Sequence, residues 1–352
     1  VVRTVFDAAR NRVRFIFSEF ENVTVSFSGG KDSTCLYYLC LWEAERIGRR
    51  FELMFLDQEA EYQSTIDIVE SAMSHPLVSP RWYQVPMMLT NATSHQEEFL
   101  HAWEEGADWV REKSKIAIHS IEEDYPQRFY KFFPWLEKQS KAPTAHLVGL
   151  RTFESMSRQR TMLKENGYKH YAWSTKASRE GSYRFYPIWD FQFKDVWKMI
   201  ADHDLPYNRV YDQMIAKSGV NFRTMRVSNL IHEQAFRSLA SLHEFEPDTY
   251  DRLARRLGGV HCAANFSDED FIYDASKLPK AFKNWRKYRD HVLASTPTDH
   301  IERYKKRFAK QPQDERVYQH QVKQMLLNDW EGKIPRTSQT VQKIKEIWWN
   351  RL

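Results

Sequence analysis

The run Ser28-Gly29-Gly30-Lys31-Asp32-Ser33 brings together two glycines, two hydroxyls, one cation and one carboxylate. Adjacent glycines between a strand and a helix let backbone N–H groups converge on one small space, and a helix N-terminus adds partial positive charge there. A phosphate or pyrophosphate suits such a turn. Ser28 and Ser33 would add hydroxyl donors, and Lys31 a cation. Asp32 is the odd member. A carboxylate beside a phosphate must be bridged by a metal such as Mg²⁺ or by donors, or else cap the turn's own amides. The run is neither Gly-x-x-x-x-Gly-Lys-Ser/Thr, since position 25 is Val, nor Gly-x-Gly-x-x-Gly.

A second group lies in Val148-Gly149-Leu150-Arg151-Thr152-Phe153-Glu154-Ser155-Met156-Ser157-Arg158, directly after an apolar stretch. Arg151 and Arg158 straddle a strand-to-helix turn at the sheet edge where α/β ligands sit, and each could grip an anion bidentately. Two arginines alone are as often surface residues. Cys35, Cys40 and Cys262 lack CxxC spacing and read as reduced thiols. His101, His119, His146, His170, His203 and His232 show no metal-ligand spacing.

Elements of the right kind surround both groups. Residues 3–20 have helical apolar spacing, 22–27 read as a strand, and 34–46 as the helix behind the glycine turn. Residues 51–56 form the next strand, ending in Asp57-Gln58-Glu59. A helix over 62–73 and a strand over 81–85 follow. After a long interval come a strand over 145–150, a helix from about 154 to 165, a strand over 184–188 and a helix over 194–203. The alternation predicts an α/β fold with a mostly parallel, doubly wound sheet. The interval, about 87–142, exceeds any ordinary crossover and is expected to be a helical insertion covering the site. The expected domains are 1–220, binding nucleotide, and 221–352, mainly helical.

The chain has 352 residues, 42% hydrophobic, 28% charged and 14% aromatic, which excludes a disordered polymer. No apolar run approaches the roughly 20 residues of a bilayer span, and no secretory leader is evident, so no membrane contact and a cytoplasmic location are expected. Net charge is +5, but from Lys277 onward 18 Lys and Arg face 8 Asp and Glu, leaving 34 against 39 elsewhere. Lys283–Arg289 and Arg303–Arg307 interleave cations with aromatics, a pattern suited to nucleic acid. Helical spacing would equally turn those aromatics into a core.

Ser26-Phe27-Ser28-Gly29-Gly30-Lys31-Asp32-Ser33 resembles the signature of the PP-loop ATP pyrophosphatases, or adenine nucleotide α-hydrolases. The second segment is similar to the Gly-x-Arg-x-x-Glu-Ser-x-x-Arg stretch of the branch holding 3′-phosphoadenylyl-sulfate (PAPS) reductases and sulfate adenylyltransferase small subunits, which implies site roles for Glu154 and Ser155. Phe55–Gln63 matches the stretch where that branch contacts adenosine, implicating Asp57 and Glu59. Tyr186–Asp190, Asp195–Trp197, Leu205–Asn208, Met225–Val227 and Gly258–Phe266 look like further landmarks. The resemblance is strongest to PAPS-reductase-like proteins of the immunoglobulin-binding-regulator type. Those pair with a ParB/sulfiredoxin-fold partner in prophage regulation or phage-related conflict.

The resemblance implies attack on the α-phosphate of ATP with pyrophosphate leaving. The glycine amides, Lys31 and Mg²⁺, with Asp32 as its ligand, would stabilise the leaving group. Arg151 and Arg158 would hold the α-phosphate or the acceptor. PAPS reductases attack with a cysteine in a Glu-Cys-Gly-type tail, whereas the last cysteine here is Cys262, beside His261. Two other readings remain open: a sulfur-assimilation enzyme, and a nucleotide-gated regulator that binds DNA through its basic part.

Overall fold

The computed structural model describes residues 4–94, 96–154, 159, 167–220, 225–233, 238–266, 275–334 and 336. By packing, the chain divides into two units: Val1–Leu89 with His101–Asn229, and Thr90–Leu100 with Leu230–Leu352.

The first unit is built on a six-stranded sheet. Its strands are β1 (Asn22–Ser26), β2 (Phe51–Leu56), β3 (Val78–Tyr83), β6 (Thr144–Val148), β7 (Ser174–Lys176) and β8 (Tyr183–Phe185), in the order β3-β2-β1-β6-β8-β7. Every pairing is parallel except β7 with β8. Two short strands, β4 (Met87–Thr90) and β5 (Phe99–Ala102), form a separate sheet.

The inner strands are buried on both faces, as strands of a parallel sheet must be, which is why Phe-Glu-Leu-Met-Phe-Leu does not alternate with polar residues. Helices α1 (Val5–Glu19), α2 (Lys31–Ile47), α3 (Gln63–Met73) and, later, α5 (Phe193–Asp202) cover the faces. On α1 the buried residues Ala9, Val13, Ile16 and Phe17 form one stripe. Thr4 and Asp7 close its N-terminus reciprocally: Asp7 N–H donates to Thr4 Oγ1 (3.1 Å) and Thr4 N–H to Asp7 Oδ2 (3.1 Å). The α1 and α2 stripes, the sheet and α5 share one core that includes Val25, Leu36, Leu53, Leu147, Phe185 and Val196.

The α/β class with a mostly parallel sheet is as expected. The strand predicted over 81–85 begins earlier, at Val78, because Pro80 is tolerated on an edge strand, and β3 is the edge. The antiparallel β7 was not foreseen; three residues carry too little pattern. Of the helix expected from 154 to 165, Thr152–Glu154 is a 3₁₀ turn, and the remainder lies outside the described residues apart from position 159.

The helical insertion expected over 87–142 needs correction. Among its described residues only α4 (Phe129–Gln139) is an α-helix. The irregular chain before it finds partners for its backbone instead. Trp103 and Val110 N–H donate to the Glu59 carboxylate (2.8 and 3.2 Å), while Ile118 N–H donates to Trp82 O (2.6 Å) and Gln84 N–H to Ile118 O (3.0 Å), covering the β3 edge.

Helix α6 (Val210–Ser218) belongs to the first unit, and the second is helical: α7 (Leu239–Phe245), α8 (Pro247–Arg256), α9 (Val260–Phe266), α10 (Trp285–Ser295), α11 (Thr298–Phe308) and α12 (Glu315–Leu326). Ala275, Tyr304, Phe308, Val322 and Met325 form a core, with Trp285, Tyr288 and Val292 packed against it. Of the aromatics in the two basic runs, Tyr304 is thus a core residue, and Trp285 and Tyr288 are half-buried against that core. Several of the cations also bind within the unit. Arg307 donates to Asp329 O (2.9 Å) and Trp330 O (3.1 Å), and Arg303 pairs with Glu98 (2.7 Å) and lies 4.6 Å from the Trp330 ring centroid. Lys283, Arg286, Lys287, Lys305 and Lys306 remain exposed. No helix among the described residues is long and apolar enough to cross a membrane.

Leu147 is wholly buried at the middle of the sheet. Leu147→Ala should cost about 2–5 kcal/mol in urea unfolding. A loss below about 1 kcal/mol would contradict the central place given to β6.

Candidate functional site

The sheet order reverses at β1. The chain runs from β1 through β2 to β3 on one side, then returns to lay β6 on the other, with Ser26 opposite Val148. The carboxyl ends of β1 and β6 therefore bound the crevice where α/β folds hold ligands. Both sequence groups lie there. Gly149 makes their approach possible: a Cβ at that position would stand 3.1 Å from Ser33 N and 3.2 Å from the Asp32 carbonyl oxygen. The strand end thus rests against the first turn of α2.

Gly29 takes φ +64°, and a Cβ there would meet Thr65 Cγ2 of α3 at 2.8 Å. Gly30 is the N-cap of α2 in extended conformation, and a Cβ there would make only ordinary contacts of 3.4 Å. Gly29 is therefore the glycine the turn itself demands. Ser28 N–H donates to Ser33 Oγ (3.2 Å), and Ser33 Oγ donates to Gly30 O (2.9 Å). The Ser33 hydroxyl staples the loop, leaving Ser28, which is exposed, as the hydroxyl a ligand could meet. The amides of Gly29, Gly30 and Asp32 have no acceptor among the described residues. The Lys31 amide does have one, because it donates to Tyr211 Oη (3.1 Å).

Two carboxylates and two cations alternate across the crevice. Lys31 Nζ donates to Asp32 Oδ2 (3.1 Å), Arg151 Nε pairs closely with Asp32 Oδ1, and Arg151 Nη2 donates to Glu154 Oε1 (2.7 Å). Lys31 and Arg151 are 3% and 4% exposed, so this is a buried chain of charge. Burial pulls the Lys31 pKa down, the Asp32 charge opposes that, and Arg151 and Arg226 add repulsion. Lys31 Nζ also donates to the Met225 carbonyl (3.1 Å) and lies 5.9 and 5.5 Å from the ring centroids of Phe193 and Tyr211.

Residues between Tyr186 and Tyr211 brace this arrangement. Thr152 donates through N–H (2.9 Å) and Oγ1 (3.0 Å) to Trp189 O, fixing the loop that carries Arg151. Arg12 grips Asp190 through both carboxylate oxygens (2.7 Å each). Asn208 Nδ2 donates to Gly29 O (3.3 Å) and Thr65 Oγ1 (2.8 Å), tying the glycine turn to α3. Trp197 of α5 stands edge-on to Tyr211, with centroids 5.4 Å apart.

Asp57 and Glu59, expected to contact adenosine, have both carboxylates engaged by the protein itself. Both are 0% exposed and fully engaged inside the unit. Asp57 accepts from Glu59 N–H (2.9 Å), Trp82 Nε1 (3.1 Å), Gln84 Nε2 (2.9 Å) and, in a close pair, Arg111. Glu59 accepts the two backbone donors given above, with its own backbone at φ +62°. Their carboxylates hold the insertion. Neighbouring Glu61 is 4% exposed. Burial, reinforced by the Asp57 charge and opposed by Arg111, pushes its carboxyl up to about 8.

Of the expected site residues, the structure brings together Ser28, Gly29, Gly30, Lys31, Asp32, Ser33, Arg151 and Glu154. Ser155 and Arg158 lie outside the described residues. Asp32 was expected to hold Mg²⁺, but both its oxygens carry cations of the protein. Among the described residues no group of three His, Cys, Asp or Glu forms a metal cluster. The donor set does not fit a metal held by the protein. Tyr211 and Met225 were missed as contacts of Lys31. Both are far away in sequence, and the only signal was the landmark run Leu205–Asn208 and the Met225-Arg226-Val227 segment.

Residues 22–265 match the family model described as the phosphoadenosine phosphosulfate reductase domain, and residues 219–321 match a second model, a domain of unknown function (DUF3440). The chain is 27% identical over 321 residues to the uncharacterized protein YbdN of Escherichia coli K12, covering 87% of this chain and 78% of that protein. It is 24% identical over 214 residues to an adenosine 5′-phosphosulfate reductase of Oceanobacillus iheyensis, covering 58% and 77% respectively. Among solved structures, Candida glabrata FMN adenylyltransferase in complex with FMN and the ATP analogue AMPCPP aligns at a TM-score of 0.35 and 16% identity. That alignment covers 58% of this chain and 60% of that one.

The Glu61 carboxyl keeps its proton in the folded protein to about pH 8, whereas the unfolded chain releases it near the ordinary value of 4.5. The folded state therefore binds more protons across that window, and Glu61's contribution to stability declines as pH rises through it. Glu61→Gln should remove that decline and stabilise the fold at pH 7 by an amount on the order of 1–3 kcal/mol. Urea melts at pH 5 and pH 8 are the measurement. Equal pH dependence in the variant and wild type would refute the assignment.

Proposed function

The chain belongs to the phosphoadenosine phosphosulfate reductase domain family, and from that premise we propose that it binds ATP at the Gly29–Gly30 turn and cleaves it between the α and β phosphates. The observation that carries this reading is the set of unshared amides on Gly29, Gly30 and Asp32, at the N-terminus of α2 and between Lys31 and Arg151. Such a place favours concentrated negative charge, and a pyrophosphate group supplies it.

In the proposed reaction an acceptor oxygen attacks the α-phosphorus. The bond from that phosphorus to the α–β bridging oxygen breaks, and pyrophosphate departs with the electron pair. With water as acceptor the products are AMP, pyrophosphate and a proton. The amides and Lys31 hold the β- and γ-phosphates, where charge grows as the bond breaks. Arg151 exchanges the Asp32 carboxylate for an α-phosphate oxygen, keeping a charged partner throughout. Any Mg²⁺ arrives on the triphosphate; no step here depends on it.

Reduction of a sulfonucleotide, the activity named for the Oceanobacillus relative, needs an accessible thiolate. Cys35 and Cys40 are wholly buried, and burial raises both thiols, so that role would fall to Cys262, which is exposed. A ParB/sulfiredoxin-fold partner, phage- or prophage-related regulation or defence, nucleic-acid binding by the exposed lysines of α10 and α11, and a cytoplasmic location complete the proposal on resemblance and charge.

Product analysis with α- and γ-labelled ATP is the test. Label should appear as AMP or an adenylate from the first and as pyrophosphate from the second. Lys31→Met should slow the reaction on the order of 10²–10³-fold, and Cys262→Ser should leave it intact. ADP with orthophosphate as products would sink the proposal. A thioredoxin-dependent reduction lost in Cys262→Ser would instead establish the reductase.

Affinity should also depend on pH with a defined sign. A bound polyphosphate raises the depressed pKa of Lys31, so ATP affinity is full below the free-state pKa and declines as pH rises through it. Calorimetry from pH 6 to 10 should show that decline in the wild type and not in Lys31→Met.

A further inference from the structure

Beyond Lys31 and Arg151, the segment from Met225 to Asn229 reaches the glycine turn from a distant part of the chain. It is fastened at two points. The Met225 carbonyl accepts from Lys31 Nζ (3.1 Å), and Asn229 Nδ2 donates to Gln58 O (3.2 Å), just past the end of β2. Met225 and Asn229 are 0% and 4% exposed. Arg226 lies between these anchors, is exposed, and has no hydrogen-bond or ion-pair partner among the described residues.

We propose that Arg226 is a third cationic contact for the phosphates of the nucleotide, carried to the glycine turn by this doubly fastened segment. The inference rests on the nucleotide reading above and adds a residue to that site. Its charge is near enough to Lys31 to disfavour the lysine's own. Lys31 and Arg151 share the carboxylates of Asp32 and Glu154, but no carboxylate among the described residues pairs with Arg226. An unanswered guanidinium held beside another cation is a standing repulsion that an arriving anion removes. The planar fork suits two phosphate oxygens.

The test is calorimetry with ATP, PAPS and adenosine on the full chain, comparing wild type, Arg226→Gln and Arg226→Lys. Arg226→Gln should weaken ATP binding about tenfold or more while adenosine binding and the unliganded melting temperature stay unchanged. Arg226→Lys should recover part of the loss. An ATP-to-adenosine affinity ratio equal to wild type in Arg226→Gln overturns the proposal. If the wild type binds PAPS and not ATP, the ATP reading fails alone, and Arg226 is judged by the same ratio with PAPS. If it binds neither, both fail.

Discussion

Asp32 occupies the first turn of a helix whose N-terminus is electropositive, and two buried cations converge on its carboxylate. Removing it would leave Arg151 to Glu154 alone and strip Lys31 of its carboxylate in a poorly solvated place, where an unpaired charge costs several kcal/mol. The pair also fixes geometry. Arg151 comes from the loop after β6 and Asp32 from the helix after β1, so the ion pair closes the crevice that the sheet order opens. Gly149 is the steric condition for that closure, because any side chain there would push Ser33 and Asp32 away. Thr152 on Trp189, Asn208 on Gly29 and Tyr211 on Lys31 act on the same few residues from behind.

A second buried charge centre does comparable work at the end of β2. Asp57 gathers donors from Trp82, Gln84 and Arg111, while Glu59 takes two backbone amides from irregular chain. Long irregular segments need such acceptors, since their N–H groups have no ladder to join. Glu61 is the exception that shows the limit. A further buried carboxylate beside Asp57 meets a repulsion that Arg111 only partly offsets, and burial makes it hold its proton instead.

Local sequence carried the glycine turn, the α/β alternation and the pairing of the two motif loops, because each depends on residues within one strand–turn–helix. Pro80 concealed the start of β3, since a proline argues against a strand unless the strand is an edge, and edge position is a property of the assembled sheet. Asp57 and Glu59 looked like ligand contacts because they end a strand at the right edge; only the folded insertion reveals that their oxygens are taken. Tyr211 and Met225 were illegible as contacts of Lys31 for the same reason, being 180 and 194 positions from it. The basic, aromatic runs of α10 and α11 illustrate ambiguity of another kind. Period-3.6 spacing places Tyr304 and Phe308 on one side and Lys305 and Lys306 on the other, and the burial of both aromatics identifies a core.

The prior pairing of Lys31 and Arg151 bears on selectivity. A carboxylate already on each cation sets a threshold, because an incoming group must offer comparable charge to displace it. A neutral nucleoside offers none and gains nothing from the exchange. A polyphosphate replaces Asp32 charge for charge and also satisfies the Gly29, Gly30 and Asp32 amides, which no acceptor among the described residues answers. The exchange adds least to the ground state for Arg151, which merely trades one anion for another. It adds most where charge is growing, at the amides and Lys31, which face the leaving group in the proposed geometry. Binding energy arranged in that way favours the bond-breaking state over the resting complex, and a site built only of free cations would not.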